Sequence, residues 1–161
     1  MDEHADSHAN TTTRSVLLLR AGGRAFAIYA EECECVTPWA EPAPLPHAPA
    51  PVLGVAPVRG RMRTVLDPSK LFEASGQARE HNAHAFIVSL TGDEQLALAC
   101  ESSTTSTLVA EHLSPSDPPA FPALGTFQHD GETVHLLDPA RLFDAAMSGT
   151  ERRRQRAVNS E

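Results

Sequence analysis

A nine-residue phrase occurs twice in this chain, LDPSKLFEA at 66–74 and LDPARLFDA at 137–145, with three conservative changes between the copies. Laying residues 51–74 over 122–145 takes a shift of 71 and no gap: Pro51 falls on Pro122, Gly54 on Gly125, Gly60 on Gly131, and Asp67-Pro68 on Asp138-Pro139. Upstream, Phe26-Ala27-Ile28 falls over Leu96-Ala97-Leu98 at nearly the same shift. A unit of roughly 71 residues used twice is therefore the main constraint on the fold.

Each unit reads as a hairpin, a strand, a stiff crossing segment, a second hairpin and a short helix. In the first unit VLLLRAGGRAFAIYA turns at Gly22-Gly23, where glycine supplies the positive φ of a tight turn. EECECV then alternates, which puts Cys33 and Cys35 on one strand face and Glu32 and Glu34 on the other. Residues 37–51, TPWAEPAPLPHAPAP, carry six prolines and suit an extended crossing, neither helix nor central strand. Two short strands follow around Arg59-Gly60, and Asp67-Pro68 opens a helix with Asp as N-cap, so that Leu71 and Phe72 face the core. The second unit repeats the plan with turns at Gly92-Asp93 and Asp130-Gly131 and a second proline cluster from Pro115 to Pro122.

Five strands in so few residues bury an inner face only by curling. The expectation is an all-β protein of two packed five-stranded barrels, about 15–74 and 85–145, with a short helix after each. A nonpolar groove between them is the natural binding place. Residues 1–14 read as a disordered tail and 146–161 as a basic tail or helix.

No apolar run approaches the roughly 20 residues of a membrane-spanning helix, so no membrane insertion is expected. The N-terminus MDEHADSHANTTTR carries acids where a secretory signal carries Lys or Arg, and three cysteines, Cys33, Cys35 and Cys100, do not make a disulfide framework. Both features point to the cytoplasm. A net charge of −8 argues against general nucleic-acid binding.

Catalytic and metal signals are weak. Cys33-x-Cys35 with His47 lacks a fourth zinc ligand, and two thiols packed in a barrel wall is the simpler reading. His4, His8, His81, His84, His129 and His135 have no Ser or carboxylate partner at catalytic spacing and read as solvated. No phosphate loop, His-Glu-x-x-His or Gly-x-Ser-x-Gly occurs. No cofactor, no metal and no catalytic residue is expected. A small enzyme is one alternative. A barrel module that binds nucleic acid through the terminal ERRRQR is another, although a solvated basic end is the simpler reading of that run. Trp39, beside Pro38, suits a partner anchor as well as a lid over a barrel.

At LPHAPAPVLGVAPVRGRMRTVLDPSKLF the chain resembles the CheW-like adaptor family of bacterial chemotaxis, whose pattern runs Leu-Pro, Gly-Val, Leu-Arg-Gly, Pro-Val-Ile-Asp-Leu; HDGETVHLLDPARLF is similar to its closing strand and helix. The resemblance covers about 15–145. It implies two SH3-like barrels and a non-catalytic coupling protein between the cytoplasmic tip of a methyl-accepting chemoreceptor and the regulatory domain of a CheA-type histidine kinase, with other CheW-like proteins as further partners. It also places Arg59 on the interaction surface, with Val58 and Gly60 beside it and Glu34, Cys35, Val36 and Trp39 as neighbouring partner-binding candidates.

Departures from the pattern are Pro57 where the family has Asn, Thr64-Val65 where it has Pro-Val, and Cys35 in the register of an acid now beside it at Glu34. These differences fall in the first barrel, where family members meet the kinase. They lead to the expectation of a diverged adaptor, retaining receptor binding with weakened kinase binding, such as one serving a Frz-type gliding-motility pathway.

Overall fold

The computed structural model describes residues 12–71, 84–115 and 122–147. Eleven strands run in chain order: β1 (Thr13–Ala21), β2 (Arg24–Tyr29), β3 (Cys33–Pro38), β4 (Val52–Val58), β5 (Arg61–Leu66), β6 (Phe86–Leu90), β7 (Leu96–Cys100), β8 (Ser102–Val109), β9 (Ser114–Pro115), β10 (Ala123–His129) and β11 (Glu132–Leu137). A short helix, Pro68–Leu71, follows β5, and residues 139–147 form a terminal helix after β11. The fold is all-β. Its strands form a six-stranded sheet, β8-β1-β2-β11-β10-β9, and a five-stranded sheet, β3-β6-β7-β5-β4. The hydrogen-bonded ladders curl without closing.

The sheets do not divide the chain at its repeat. Each takes a hairpin from the other half, which corrects the assignment of one barrel to 15–74 and the other to 85–145. The closing strand of the first unit, β5, pairs in parallel with β7 of the second, and β11 pairs in parallel with β2 of the first. The exchange is reciprocal in register. Thr64 faces Leu96 and Val65 faces Ala97, while His135 faces Phe26 and Leu136 faces Ala27. These are the same positions at the repeat shift. A parallel partner requires a crossover rather than a tight hairpin: residues 67–95, with β6, connect β5 to β7, and residues 30–131 separate β2 from β11.

Three apolar clusters result. The central one holds Leu17, Leu19, Phe26 and Ile28 from the first unit's leading hairpin and Leu96, Leu98 and Leu137 from the second unit, so it lies between the two sheets. On β2 and β7 the other face carries small residues, Ala27 in the six-stranded sheet and Ala97 and Ala99 in the five-stranded one, whereas β1 and β11 place Val16 and Leu136 there. On those two strands, β2 and β7, large residues toward the shared core and alanine toward a narrow barrel interior fit the taper of a small barrel. It also explains why β7 is buried on every residue, LALAC, with no polar face.

The matched glycines have matched reasons. A Cβ on Gly54 would lie 2.2 Å from the Ala43 carbonyl oxygen, and one on Gly125 would lie 2.3 Å from that of Ser114. At both places the crossing segment lies directly on the following strand, with Ala43 bridging Val55 and Ser114 pairing Thr126. The Asp caps also match. Asp67 Oδ1 accepts from the Ser69 N–H at 3.0 Å and Asp138 Oδ1 from the Ala140 N–H at 3.2 Å.

Order begins earlier than the sequence suggests. Thr13 and Arg14 belong to β1, paired with Val109 and Leu108, and the Arg14 guanidinium lies 3.3 Å over the Tyr29 ring while binding Glu31. Leu71 packs on the central core, whereas Phe72 lies outside the described residues, as do His4, His8, His81 and the ERRRQR run.

Candidate functional site

The hairpin β4–β5 turns through Arg59 and Gly60 with φ of 50° and 82°, both positive as a tight primed turn demands. Arg59 is exposed. Among the described residues none hydrogen-bonds or ion-pairs with its guanidinium. Gly60 is there for its backbone angle, since a Cβ would meet nothing within 4 Å. Val58, by contrast, is 5% exposed and belongs to the interior of the five-stranded sheet, so it supports the turn and is not part of the surface.

β3 carries the other candidates. Its register shifts between Cys33, opposite Leu90, and Cys35, opposite Ser89, so Glu34 is the extra residue of a β-bulge. Alternation therefore holds in exposure but not in destination: Cys33 packs against the central core and Cys35 against the five-stranded interior. This corrects the expectation of one shared thiol face. Glu32 is not on that strand at all. It closes a 3₁₀ turn, Ala30–Glu32, and its carboxylate accepts from the Tyr29 N–H at 3.3 Å.

Glu34 is brought to Arg63, a residue the sequence reading passed over. Arg63 is 3% exposed on β5. Its guanidinium donates to the Glu34 carboxylate, to the Leu90 carbonyl at 2.9 Å and to the Leu96 carbonyl at 3.4 Å. One side chain thus ties β5 to β3 and to both ends of the β6–β7 turn. The signal was present: in RMRTVL, Arg63 shares the inward parity of Val65 and interrupts an apolar face.

Trp39 is half-buried over the five-stranded interior, with its backbone N–H donating to the Ala85 carbonyl at 2.9 Å. Its ring lies 4.5 Å from that of His84, tilted by 34°. His84 is not solvated, as the sequence suggested. It is largely covered, and its Nε2 stands 3.7 Å from Asp67 Oδ2. The arrangement is not a triad, because the Ser69 hydroxyl donates to Asp67 at 2.6 Å and not to the histidine. His135 is likewise half-buried beside Phe26, at 6.0 Å between ring centroids. His129 is partly exposed, its Nε2 3.4 Å from Asp130 Oδ2.

Burial raises the Cys33 thiol pKa, with Cys35 and Glu34 adding to the effect, and pushes that of Cys100 up to about 12. Neither is a nucleophile at neutral pH. His47 sits in a left-handed turn of the crossing segment, φ 59°. Among the described residues no three His, Cys, Asp or Glu side chains converge as a metal site, and no helix is long and apolar enough to cross a membrane.

One surface beyond β3 and the Arg59 turn stands out. An open groove of about 280 Å³ is lined by Leu45 and Pro49 of the crossing segment, Val52 and Leu66 of the β4–β5 pair, and Phe143 and Met147 of the terminal helix. Leu45, Phe143 and Met147 are among the few large apolar side chains left exposed among the described residues.

The sequence model of the CheW-like domain matches residues 15–147. The chain belongs to the CheW-like domain family. Among solved structures, the CheW-like fold seen here is similar to that of the scaffolding protein TtCheW from Thermoanaerobacter tengcongensis: TM-score 0.68, 16% identity, covering 82% of this chain and 93% of that one. None of the curated proteins compared with the chain matches it.

Proposed function

We propose that this protein is a non-catalytic chemosensory adaptor of the cytoplasm, joining the tip of a methyl-accepting chemoreceptor to the regulatory domain of a CheA-type histidine kinase. The observation that carries the reading is the CheW-like family match over nearly the whole folded chain. Chemically, the adaptor needs surfaces that bind and no group that turns over. Arg59 is the first such group, a guanidinium at the tip of a tight turn that, among the described residues, is bound by none and can meet a partner's carboxylates or carbonyls. Val36, 37% exposed on β3 at the other edge of the same sheet, offers an apolar contact. The groove at Leu45, Phe143 and Met147 suits the apolar face of a helix.

In this reading the kinase contact is the weaker of the two. Pro57 removes a donor from β4, and the Glu34 carboxylate is engaged by Arg63 rather than held ready for a partner. The adaptor then acts by raising the local concentration of whatever it retains at the receptor array. Calorimetric titration against a receptor cytoplasmic fragment, and separately against the kinase regulatory domain, tests this. Receptor binding that Arg59→Glu weakens at least tenfold, with weaker kinase binding, is the expected result. Binding to neither overturns it.

A further inference from the structure

Four strands end the two ladders: β8 and β9 in one sheet, β3 and β4 in the other. Free strand edges template further strands, and folded proteins block them with proline, charge, bulges or shortness. Three of the four are blocked here. β3 bulges at Glu34 and ends in Pro38. β4 carries Pro57, and its outer edge is already bonded where Ala43 and Val55 exchange hydrogen bonds of 2.8 and 2.9 Å. β9 is two residues long and includes Pro115.

β8 has none of these devices. It runs eight residues, SSTTSTLV, with no proline and no charge, in unbroken register with β1 from Thr13 to Arg20. Among the described residues its outer edge pairs with no strand. Every second residue of an antiparallel strand turns its N–H and C=O away from its existing neighbour, so β8 offers a row of donors and acceptors to a newcomer. Its six consecutive hydroxyl residues, most of them exposed, favour cross-strand pairing with other β-prone side chains. An apolar helix has nothing to bury there.

Charge selects the newcomer. Acids bracket the neutral strand, Glu101 immediately before it and the exposed Glu111 just after, on a molecule of net charge −8. A second copy of this chain would bring the same acids and the same charge. We propose that the β8 edge is a strand-addition site for an extended segment of a partner protein, uncharged and β-prone at its centre and basic at its ends. This surface is distinct from the Arg59 turn, and its failure would leave the coupling reading untouched.

The probe is a terminally blocked peptide of alternating threonine and valine with a lysine at each end, titrated into the full ¹⁵N-labelled chain. Two further peptides carry backbone N-methyl groups, one at every threonine and one at every valine. Expected are shifts confined to Ser102–Val109 and its neighbours, and loss of roughly tenfold or more in affinity for one methylated peptide but not the other. Replacing the peptide's lysines with glutamates weakens binding further. The proposal is overturned if the parent peptide leaves the β8 amides unmoved, if both methylated peptides bind as the parent does, or if the chain alone dimerises with its β8 amides protected.

Discussion

The guanidinium of Arg63, buried on β5, is bound to the carboxylate of Glu34, the bulge residue of β3, from the far side of the five-stranded ladder. It also satisfies the Leu90 and Leu96 carbonyls. Removing Arg63 as Arg63→Ala leaves the two carbonyls without this donor, while the exposed Glu34 carboxylate turns to water, at a cost of roughly 2–3 kcal/mol. Glu34→Gln keeps an acceptor and costs only about 1 kcal/mol. Urea denaturation separates the two, and an Arg63→Ala protein as stable as the parent would refute the assignment of Arg63 as a structural tie.

Gly54→Ala and Gly125→Ala should both destabilise although they sit in different sheets, Gly54→Ala the more because Gly54 also has a positive φ of 146°. Each new methyl would overlap a backbone carbonyl, that of Ala43 or Ser114, and a loss of about 2–3 kcal/mol is expected for each. Gly60→Ala meets open space and keeps only the cost of a positive φ, about 1 kcal/mol. Thermal melts of the three variants test the ordering.

The buried thiols make the protein base-sensitive. With Cys100 raised from 9.0 to about 12 by burial, the folded chain holds a proton that the unfolded chain releases near pH 9. Its contribution is intact below pH 9 and is lost as pH rises toward 12. Stability measured from pH 8 to 10.5 should fall, less steeply in Cys100→Ala. A disulfide reagent at pH 8 should leave Cys100 unmodified until denaturant is added.

His135 works in the opposite direction. Burial, and then the charge of Arg24, lower its pKa below the usual 6.5, so the folded ring stays neutral where the unfolded ring is already protonated. Its contribution is present above pH 6.5 and is lost as pH falls through the folded value. A proton NMR titration should show His135 titrating at lower pH than a solvated histidine.

Much of the fold was legible because the repeat is written in residues whose reasons are local. Asp-Pro caps, primed turns and the proline-rich crossings announce themselves through backbone angles and missing N–H groups. The exchange of hairpins was not legible. Which strand Val65 or Leu136 pairs with depends on contacts across the molecule, and an apolar strand such as LALAC carries no mark of its neighbour. Of the site, Arg59 was readable as an arginine forced into a turn. Arg63 was hidden because an inward-facing arginine has the same sequence appearance as an outward one until the bulge at Glu34 supplies its partner. Val58 was misplaced for the converse reason, since proximity to a candidate turn says nothing of which face a residue occupies.

The reciprocal pairing of β5 with β7 and of β11 with β2 has a consequence for how the molecule assembles. Neither sheet is complete until segments some 30 to 110 residues apart have met, so neither half can serve as a folded intermediate for the other. Such a chain should fold slowly and in one cooperative step. A defect in the Phe26 hairpin should then melt the Arg59 hairpin with it, although the two lie in different sheets.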